Sequence, residues 1–223
     1  MANDRINADF SQRVVMATNE MPWIPSPQAG VERRMLDRIG GEVARATSLV
    51  RYAAASTFPA HEHALGEEFL VLDGVFSDEH GDYPPLTYVR NPPLSRHSPR
   101  TAPGCTIFVK LRQMALSEKS RLVIDGTTAK WQPTEPAGLS VLPLFQGAGE
   151  SVALERLDAG AAHSESDCPG GEEIFILSGD LSDDSGTYGA GTWIRNPVGV
   201  RRSLGSTGGA TYWVKRGHLQ PLA

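Results

Sequence analysis

Short apolar runs alternate along this chain with clusters of glycine, proline, asparagine and aspartate. The runs are only a few residues long and rich in β-branched and aromatic side chains, which favours strands over helices. The clusters between them are typical of turns, and their spacing is that of an all-β sandwich or barrel. Only residues 30–45 have a pattern compatible with a helix, and Gly40 and Gly41 interrupt it. Clear examples of predicted strands are Phe69–Leu72, Thr106–Val109 and Thr192–Ile194.

The chain also repeats itself. Aligning Gly66–Met114 with Gly171–Leu219 without a gap makes 19 of 49 positions identical. The match continues upstream with a shift of three residues, where Trp23-Ile-Pro corresponds to Trp131-Gln-Pro. Self-similarity over almost the whole length indicates two copies of one structural unit.

The repeat defines the predicted domains. We expect an all-β protein of two tandem barrels, the first formed by residues 1–117 and the second by residues 118–223. The strand-like segments Arg13–Met16 and Arg121–Ile124 correspond to each other in the two copies. These two segments could exchange between the barrels.

Composition and charge exclude several functional classes. The 26 acidic residues outnumber the 21 basic ones, which gives a net charge of −5. Without a run of Lys or Arg, the chain lacks the basic face that non-specific nucleic-acid binding needs. The sequence shows neither a bilayer-spanning apolar stretch nor a signal-peptide pattern, and Cys105 and Cys168 match no disulfide or CxxC pattern. We therefore expect a reduced, cytoplasmic protein that binds neither nucleic acid nor membranes directly.

The candidate chemistry lies in the first copy. His61 and His63 are two residues apart in a predicted strand, so their imidazoles project from the same face. Glu67 follows a turn at Gly66, and alternation along the next strand points its carboxylate to the barrel interior. His97 follows a Pro-Pro turn that sends the chain back. Three imidazoles and one carboxylate form a donor set for a divalent transition metal, and we predict these four residues as its ligands.

Other polar residues nearby are weaker candidates. Glu68 is the nearest rival ligand, but alternation points it to the opposite face of the strand, where we expect it to be solvated. His80 lies in a polar turn and is expected at the surface. A single histidine is more often a surface or core residue than a ligand, whereas three with a carboxylate at this spacing are hard to explain in that way.

The spacing HxHx₃Ex₆G, followed by a further histidine, resembles the metal motif of the cupin superfamily. Because the resemblance covers both repeats, the chain resembles a bicupin, with two double-stranded β-helix (jelly-roll) barrels. The segments Gly66–Gly74, Asp78–Tyr83 and Arg90–His97 more narrowly resemble the cupin domain of ChrR-type anti-sigma factors. That resemblance implies a zinc ion bound by the four residues predicted above as ligands.

The second copy has lost most of the site. Ser166, Cys168, Glu172 and Arg202 occupy the positions of the four predicted ligands, so only the carboxylate remains. An unpaired carboxylate in a barrel interior would cost several kcal/mol. We therefore hypothesise a buried ion pair between Glu172 and Arg202, with solvation of both groups at the barrel mouth as the alternative.

The resemblance implies a regulatory role, in which a zinc-binding module restrains an extracytoplasmic-function sigma factor and responds to oxidative stress. The sequence has no HxxxCxxC motif, so we expect it to lack the usual N-terminal sigma-binding domain of that family. The alternative is a cupin dioxygenase that uses iron or manganese on a small diketone or aromatic substrate. We assign no catalytic residue. We expect one divalent metal per chain, with zinc as the first candidate and iron, manganese or nickel as alternatives. A small-molecule ligand and a homodimer are also compatible with the sequence.

Overall fold

The computed structural model describes residues 4–135, 137–147, 149–165, 169–200 and 202–219. Within these ranges the regular structure consists of β-strands, apart from one turn of 3₁₀ helix at Thr18–Glu20. No helix in this part of the chain is long and apolar enough to cross a membrane. The all-β prediction is confirmed, and the segment with a helix-compatible pattern forms a strand from Val31 to Ile39.

The strands are numbered in chain order. The first fourteen are β1 (Arg5–Ile6), β2 (Val14–Ala17), β3 (Ile24–Pro25), β4 (Val31–Ile39), β5 (Arg45–Tyr52), β6 (Ser56–Thr57), β7 (His61–His63), β8 (Glu67–Gly74), β9 (Phe76–Asp78), β10 (Gly81–Tyr83), β11 (Thr87–Asn91), β12 (Ser95–His97), β13 (Arg100–Thr101) and β14 (Cys105–Leu111). They are followed by β15 (Leu122–Asp125), β16 (Gln132–Pro133), β17 (Leu139–Gly147), β18 (Glu150–Leu157), β19 (Ala162–Glu165), β20 (Glu172–Asp183), β21 (Gly186–Gly189), β22 (Thr192–Asn196), β23 (Arg202–Gly205) and β24 (Ala210–Arg216).

The strands form two compact units. The first contains the described residues up to Ala8 together with Pro22–Thr128, and the second contains Asp9–Met21 together with the described residues from Ala129 onward. These units differ from the sequence repeats, residues 1–117 and 118–223, at both ends of the first repeat. The difference arises because Asp9–Met21 of the first repeat belongs to the second unit, whereas residues 118–128 of the second repeat belong to the first unit.

The exchanged segments are strands β2 and β15. In the second unit β2 pairs with β22, with Val15 opposite Ile194. In the first unit β15 pairs with β11 in the same way, with Val123 opposite Val89. The exchange that the sequence allowed is therefore present, and each barrel sheet ends on a strand supplied from outside its own repeat.

In the first unit the main antiparallel sheet has the order β1-β4-β5-β14-β8-β11-β15, with β3 on the edge of β4. A smaller sheet, β10-β9-β13-β6, and the two-stranded sheet β12-β7 complete this unit. The second unit repeats the main order as β16-β17-β18-β24-β20-β22-β2, while β19, β21 and β23 attach to β20 or to each other.

Each unit has its own apolar core. That of the first contains Phe69, Val71, Phe76, Val89, Ile107 and Val109, and that of the second contains Leu157, Ile174, Ile176, Ile194, Tyr212 and Val214. Each such side chain contributes roughly 1.5–3 kcal/mol when fully buried. Cys105 belongs to the first core, where burial raises the pKa of its thiol to about 11 and makes it a structural rather than a reactive group.

Candidate metal centre

Strands β7 and β12 bring three histidines together. The two strands pair antiparallel, with His61 opposite His97 and His63 opposite Ser95. The alternation of a strand places His61 and His63 on one face, as the sequence predicted. The three imidazole ring centroids are 4.8–4.9 Å apart in every combination. One nitrogen from each ring lies within 4.8 Å of the others, so the three side chains could hold a metal ion.

Glu67 adds a carboxylate to this cluster. Its Oε2 atom lies 3.4 Å from His63 Nε2 and 3.6 Å from His97 Nε2. The turn before it depends on Gly66, whose φ of +76° lies in the left-handed region and where an added Cβ would collide with the Met114 side chain. The sequence-predicted N₃O set is thus brought to one place.

The donor set fits a divalent cation. The Nε2 atoms of His63 and His97 are 3.0 Å apart, and both face the same oxygen of Glu67. Neutral imidazole nitrogens are borderline donors and a carboxylate oxygen is a hard donor, and together they suit zinc, iron, manganese and nickel. Converging lone pairs at these distances are stabilised by a cation between them. The structure therefore supports metal binding at this cluster, and the identity of the metal is a separate question.

The cluster is buried on one side and open on the other. His63, Glu67 and His97 are buried, whereas the His61 side chain is exposed. Burial lowers the pKa of His63, which favours the neutral imidazole that binds a metal. Burial also acts to lower the pKa of His97, but the hydrogen bond to Asp78 and the charge of Glu67 outweigh it and raise the pKa.

Asp78 is an outer contact of the site that the sequence reasoning missed. Its Oδ2 atom lies 3.4 Å from His97 Nδ1, while its Oδ1 atom accepts hydrogen bonds from the Tyr83 hydroxyl at 2.7 Å and the His80 backbone amide at 2.8 Å. A carboxylate on the far nitrogen of a histidine fixes the tautomer and ring orientation for a metal ligand. The available signal was the Ser-Asp pair and the tyrosine that both repeats share.

The pKa of Asp78 predicts a pH dependence. Burial acts to raise this pKa, but the hydrogen bonds with His97, Tyr83 and the His80 amide lower it from the usual 3.8 to about 2. A carboxyl group with a lowered pKa stabilises the folded state above its unfolded pKa, and this stability is lost as the pH falls toward 2. In metal-free protein, Asp78→Asn is therefore expected to flatten the decline of the free energy of unfolding between pH 4 and pH 2. Urea titrations across that range measure it, and parallel curves for the two proteins would refute the assignment.

Two other expectations concern the surroundings of the site. Glu68 does face away from the cluster, but the prediction that it is solvated was wrong. It is 2% exposed, accepts a hydrogen bond from the Tyr88 hydroxyl at 2.6 Å and pairs with Arg90 at 2.7 Å. Arg90 in turn pairs with Glu118, which explains how the outward face of β8 tolerates a buried charge. His80 is exposed, as expected.

The second unit holds its remaining carboxylate in another way. Glu172 is fully buried, and its Oε2 atom lies 3.1 Å from Arg216 Nε. Asn196 donates a hydrogen bond to the other oxygen at 3.1 Å. The same guanidinium donates two hydrogen bonds to Glu155, at 2.6 and 3.0 Å.

This guanidinium has no equivalent in the first unit. Arg216 is opposite Glu172 as Leu111 is opposite Glu67, so leucine stands at the corresponding position beside the histidines. The hypothesised partner Arg202 has a side chain outside the described set, and Ser166 and Cys168 are also outside it. Among the described residues, Arg216 supplies a positive charge beside the carboxylate of Glu172.

Comparison with known proteins identifies the repeat. A family model described as the ChrR cupin-like domain matches residues 11–115 and again residues 119–220. The two matches together cover almost the whole chain and coincide with the two copies seen in the sequence. No curated protein matches the sequence.

Solved structures with a similar fold include proteins of several activities. A candidate dioxygenase from Nostoc punctiforme has 14% identity and a TM-score of 0.78, with 94% of this chain and 85% of that chain covered. The pirin YhhW from Escherichia coli, solved with nickel, has 10% identity and a TM-score of 0.67, covering 92% and 98%. Oxalate decarboxylase from Lactobacillus farciminis, solved with formate, has 10% identity and a TM-score of 0.63, covering 92% and 86%. At these identities the likeness shows the fold alone.

Proposed function

Because the chain belongs to the ChrR cupin-like domain family and carries this domain twice, we propose that it is a bicupin whose first barrel binds one zinc ion in a regulatory role. The observation that carries the proposal is the convergence of His61, His63, His97 and Glu67 in the first copy. The second copy keeps the carboxylate but neutralises it with Arg216, which supports a stoichiometry of one metal per chain.

The residues of the chain have distinct parts in such a site. His61, His63, His97 and Glu67 would hold the metal, which would supply a cross-link between three strands, β7, β8 and β12. Asp78 orients the ring of His97 through its Nδ1 atom.

Asn91 orients the carboxylate of Glu67 by donating a hydrogen bond to its Oε2 atom at 3.0 Å. Outer contacts of this kind set metal affinity, because they fix the ligands before the ion arrives.

A regulatory role follows from the linkage between metal and structure. Within the described residues β7 and β12 form a two-stranded sheet separate from the main sheet of the first unit, so a metal held by the four ligands would add a link between this pair and β8. Loss of the metal, or oxidation of a ligand, would loosen this part of the barrel and change the surface offered to a partner. We propose a cytoplasmic protein that responds to oxidative stress, with an extracytoplasmic-function sigma factor or another regulatory protein as its partner.

A metal-dependent dioxygenase is the second candidate. It is favoured by the exposure of His61, which leaves one side of the cluster accessible to a small molecule. The candidate dioxygenase from Nostoc punctiforme has the same fold. In this case the metal would be iron or manganese, and the substrate a small diketone or aromatic compound that enters beside His61.

The two candidates differ in whether the metal accepts a fifth ligand. We would reconstitute metal-free protein with Co²⁺, a spectroscopic substitute for zinc, and record its visible spectrum before and after adding azide. The regulatory proposal predicts a four-coordinate spectrum that azide does not change. A spectrum that azide shifts in a saturable manner would contradict it and favour the dioxygenase, to be followed by oxygen-uptake assays.

A further inference from the structure

One arginine connects the exchanged strand of the first unit to the candidate metal centre. Arg121 lies immediately before β15, and its side chain reaches back to the site. Its Nε atom donates a hydrogen bond to Asn91 Oδ1 at 3.0 Å, while a terminal nitrogen donates to the Tyr83 hydroxyl at 2.5 Å and lies 3.4 Å from Asp78 Oδ2.

Each of these contacts is one step from a predicted ligand. Asn91 donates to Glu67 Oε2 at 3.0 Å, and the same Oδ2 atom of Asp78 that faces Arg121 also faces His97 Nδ1 at 3.4 Å. One guanidinium therefore holds the outer contacts of two ligands at once, from two different strands. Its planar fork suits this arrangement, because the donor directions are fixed relative to each other.

The second unit contains the same arrangement without the histidines. Arg13, immediately before the exchanged strand β2, donates to Asn196 Oδ1 at 3.0 Å and to the Tyr188 hydroxyl at 3.2 Å. It also pairs with Asp183 at 2.5 Å, and Asn196 in turn donates to Glu172. The two arginines are equally exposed, at 27% and 28%.

The comparison separates two roles of the arginine. An arrangement that persists in the second unit anchors the exchanged strand whether or not a metal is bound. Among the described residues, the aspartate faces a predicted ligand in the first unit alone. Its contact with the arginine is longer in the first unit than in the second, 3.4 against 2.5 Å. The Asp78 carboxylate is thus shared between the strand anchor and His97.

We propose that Arg121 is a positioning residue that couples docking of strand β15 to metal binding in the first barrel. This inference rests on the proposed metal site. With Arg121 in place, Asn91 and Asp78 hold Glu67 and His97 in the arrangement that binds the ion. By linkage, the bound ion stabilises that arrangement and so strengthens the docking of β15 by the same factor. Metal binding would then change the stability with which strand β15 docks, beyond its effect on the ligands themselves.

The test compares Arg121→Lys with Arg13→Lys. Lysine keeps the positive charge, so a change in affinity reports the lost fork and not a change in the field at the metal. Competition with a chromophoric chelator measures zinc affinity. We expect a loss of about 10-fold or more for Arg121→Lys, in the range found for outer contacts of metal sites, and a change below about 2-fold for Arg13→Lys.

Hydrogen exchange of the wild-type protein gives a second readout that needs no variant. Removing zinc is expected to accelerate exchange of the backbone amides of Leu122–Asp125 and to leave those of Val14–Ala17 unchanged. Equal affinity losses in the two lysine variants, or metal-independent exchange in β15, would overturn the coupling while the metal site stands. A wild-type protein that binds no metal would overturn the proposed function and the coupling with it.

Discussion

Replacing His61 by alanine is expected to lower the affinity of the protein for zinc by more than about 100-fold, beyond the loss that outer contacts cause. His61 supplies one of the three imidazoles of the cluster, and the remaining donors cannot complete a four-ligand zinc site. Because its side chain is exposed, the substitution removes a ligand without opening a cavity in the core. Chelator competition on metal-free, refolded protein measures the change.

His163→Ala is the matched control. His163 also lies on a strand, β19, in the second unit, and it is not part of the described histidine cluster. We expect this variant to bind zinc as the wild type does. Similar affinities for His61→Ala and wild type would show that the histidine cluster is not the metal site.

Replacing Arg216 by methionine is expected to destabilise the second unit by about 3 kcal/mol, because it removes a guanidinium that contacts two buried carboxylates, those of Glu172 and Glu155. Glu172 is fully buried and Glu155 is 4% exposed, so neither can recover full hydration without local opening. Three of the four tryptophans, Trp131, Trp193 and Trp213, lie in this unit, so urea unfolding followed by tryptophan fluorescence reports mainly on it.

Arg96→Met serves as the control for Arg216→Met. Arg96 pairs with Glu62 at 2.9 Å, but both side chains are exposed, and such pairs contribute at most about 1 kcal/mol. Zinc removal is expected to leave the fluorescence transition of the wild type in place, since Arg216 already compensates Glu172. A transition that shifts with zinc but not with Arg216→Met would mean that the second unit depends on a metal.

The fold was predictable because its signals are local or repeated. Short β-branched runs between turn residues predict strands wherever they occur. The sequence similarity between Gly66–Met114 and Gly171–Leu219 indicates two equivalent units. The prediction of two tandem cupin barrels is confirmed by the two family matches and the similar solved structures. The boundaries of each unit do not follow from the repeat alone, because they depend on which sheet edge β2 and β15 pair with in three dimensions.

The three histidines were also predictable, since a two-residue spacing on a strand fixes the face on which side chains lie. The contacts around them were not. Asp78 and Arg121 are far apart in the sequence, and their meeting at one carboxylate oxygen depends on the path of β9 and β15. Such residues carry no ligand spacing of their own, so the repeat is the only sequence signal that marks them.

The sequence predicted that a cation compensates the buried charge of Glu172. The specific ion pair proposed for this, between Glu172 and Arg202, stays a prediction. The need for a cation beside Glu172 follows from the cost of a buried carboxylate. Alignment with the first repeat pointed to Arg202, at the position of a lost ligand. The structure shows Arg216 beside Glu172, from the neighbouring strand β24, because residues directly opposite each other on paired strands lie in contact. Glu68 shows a similar limit of the sequence. Strand alternation predicts the face on which its side chain lies, but not which residues cover that face.

The most direct test of the account is the metal content of untagged protein, measured by elemental mass spectrometry after reconstitution with zinc and exhaustive dialysis. The account predicts one zinc ion per chain in the wild type and none in the His61→Ala variant. Two ions per chain, or none in the wild type, would contradict it.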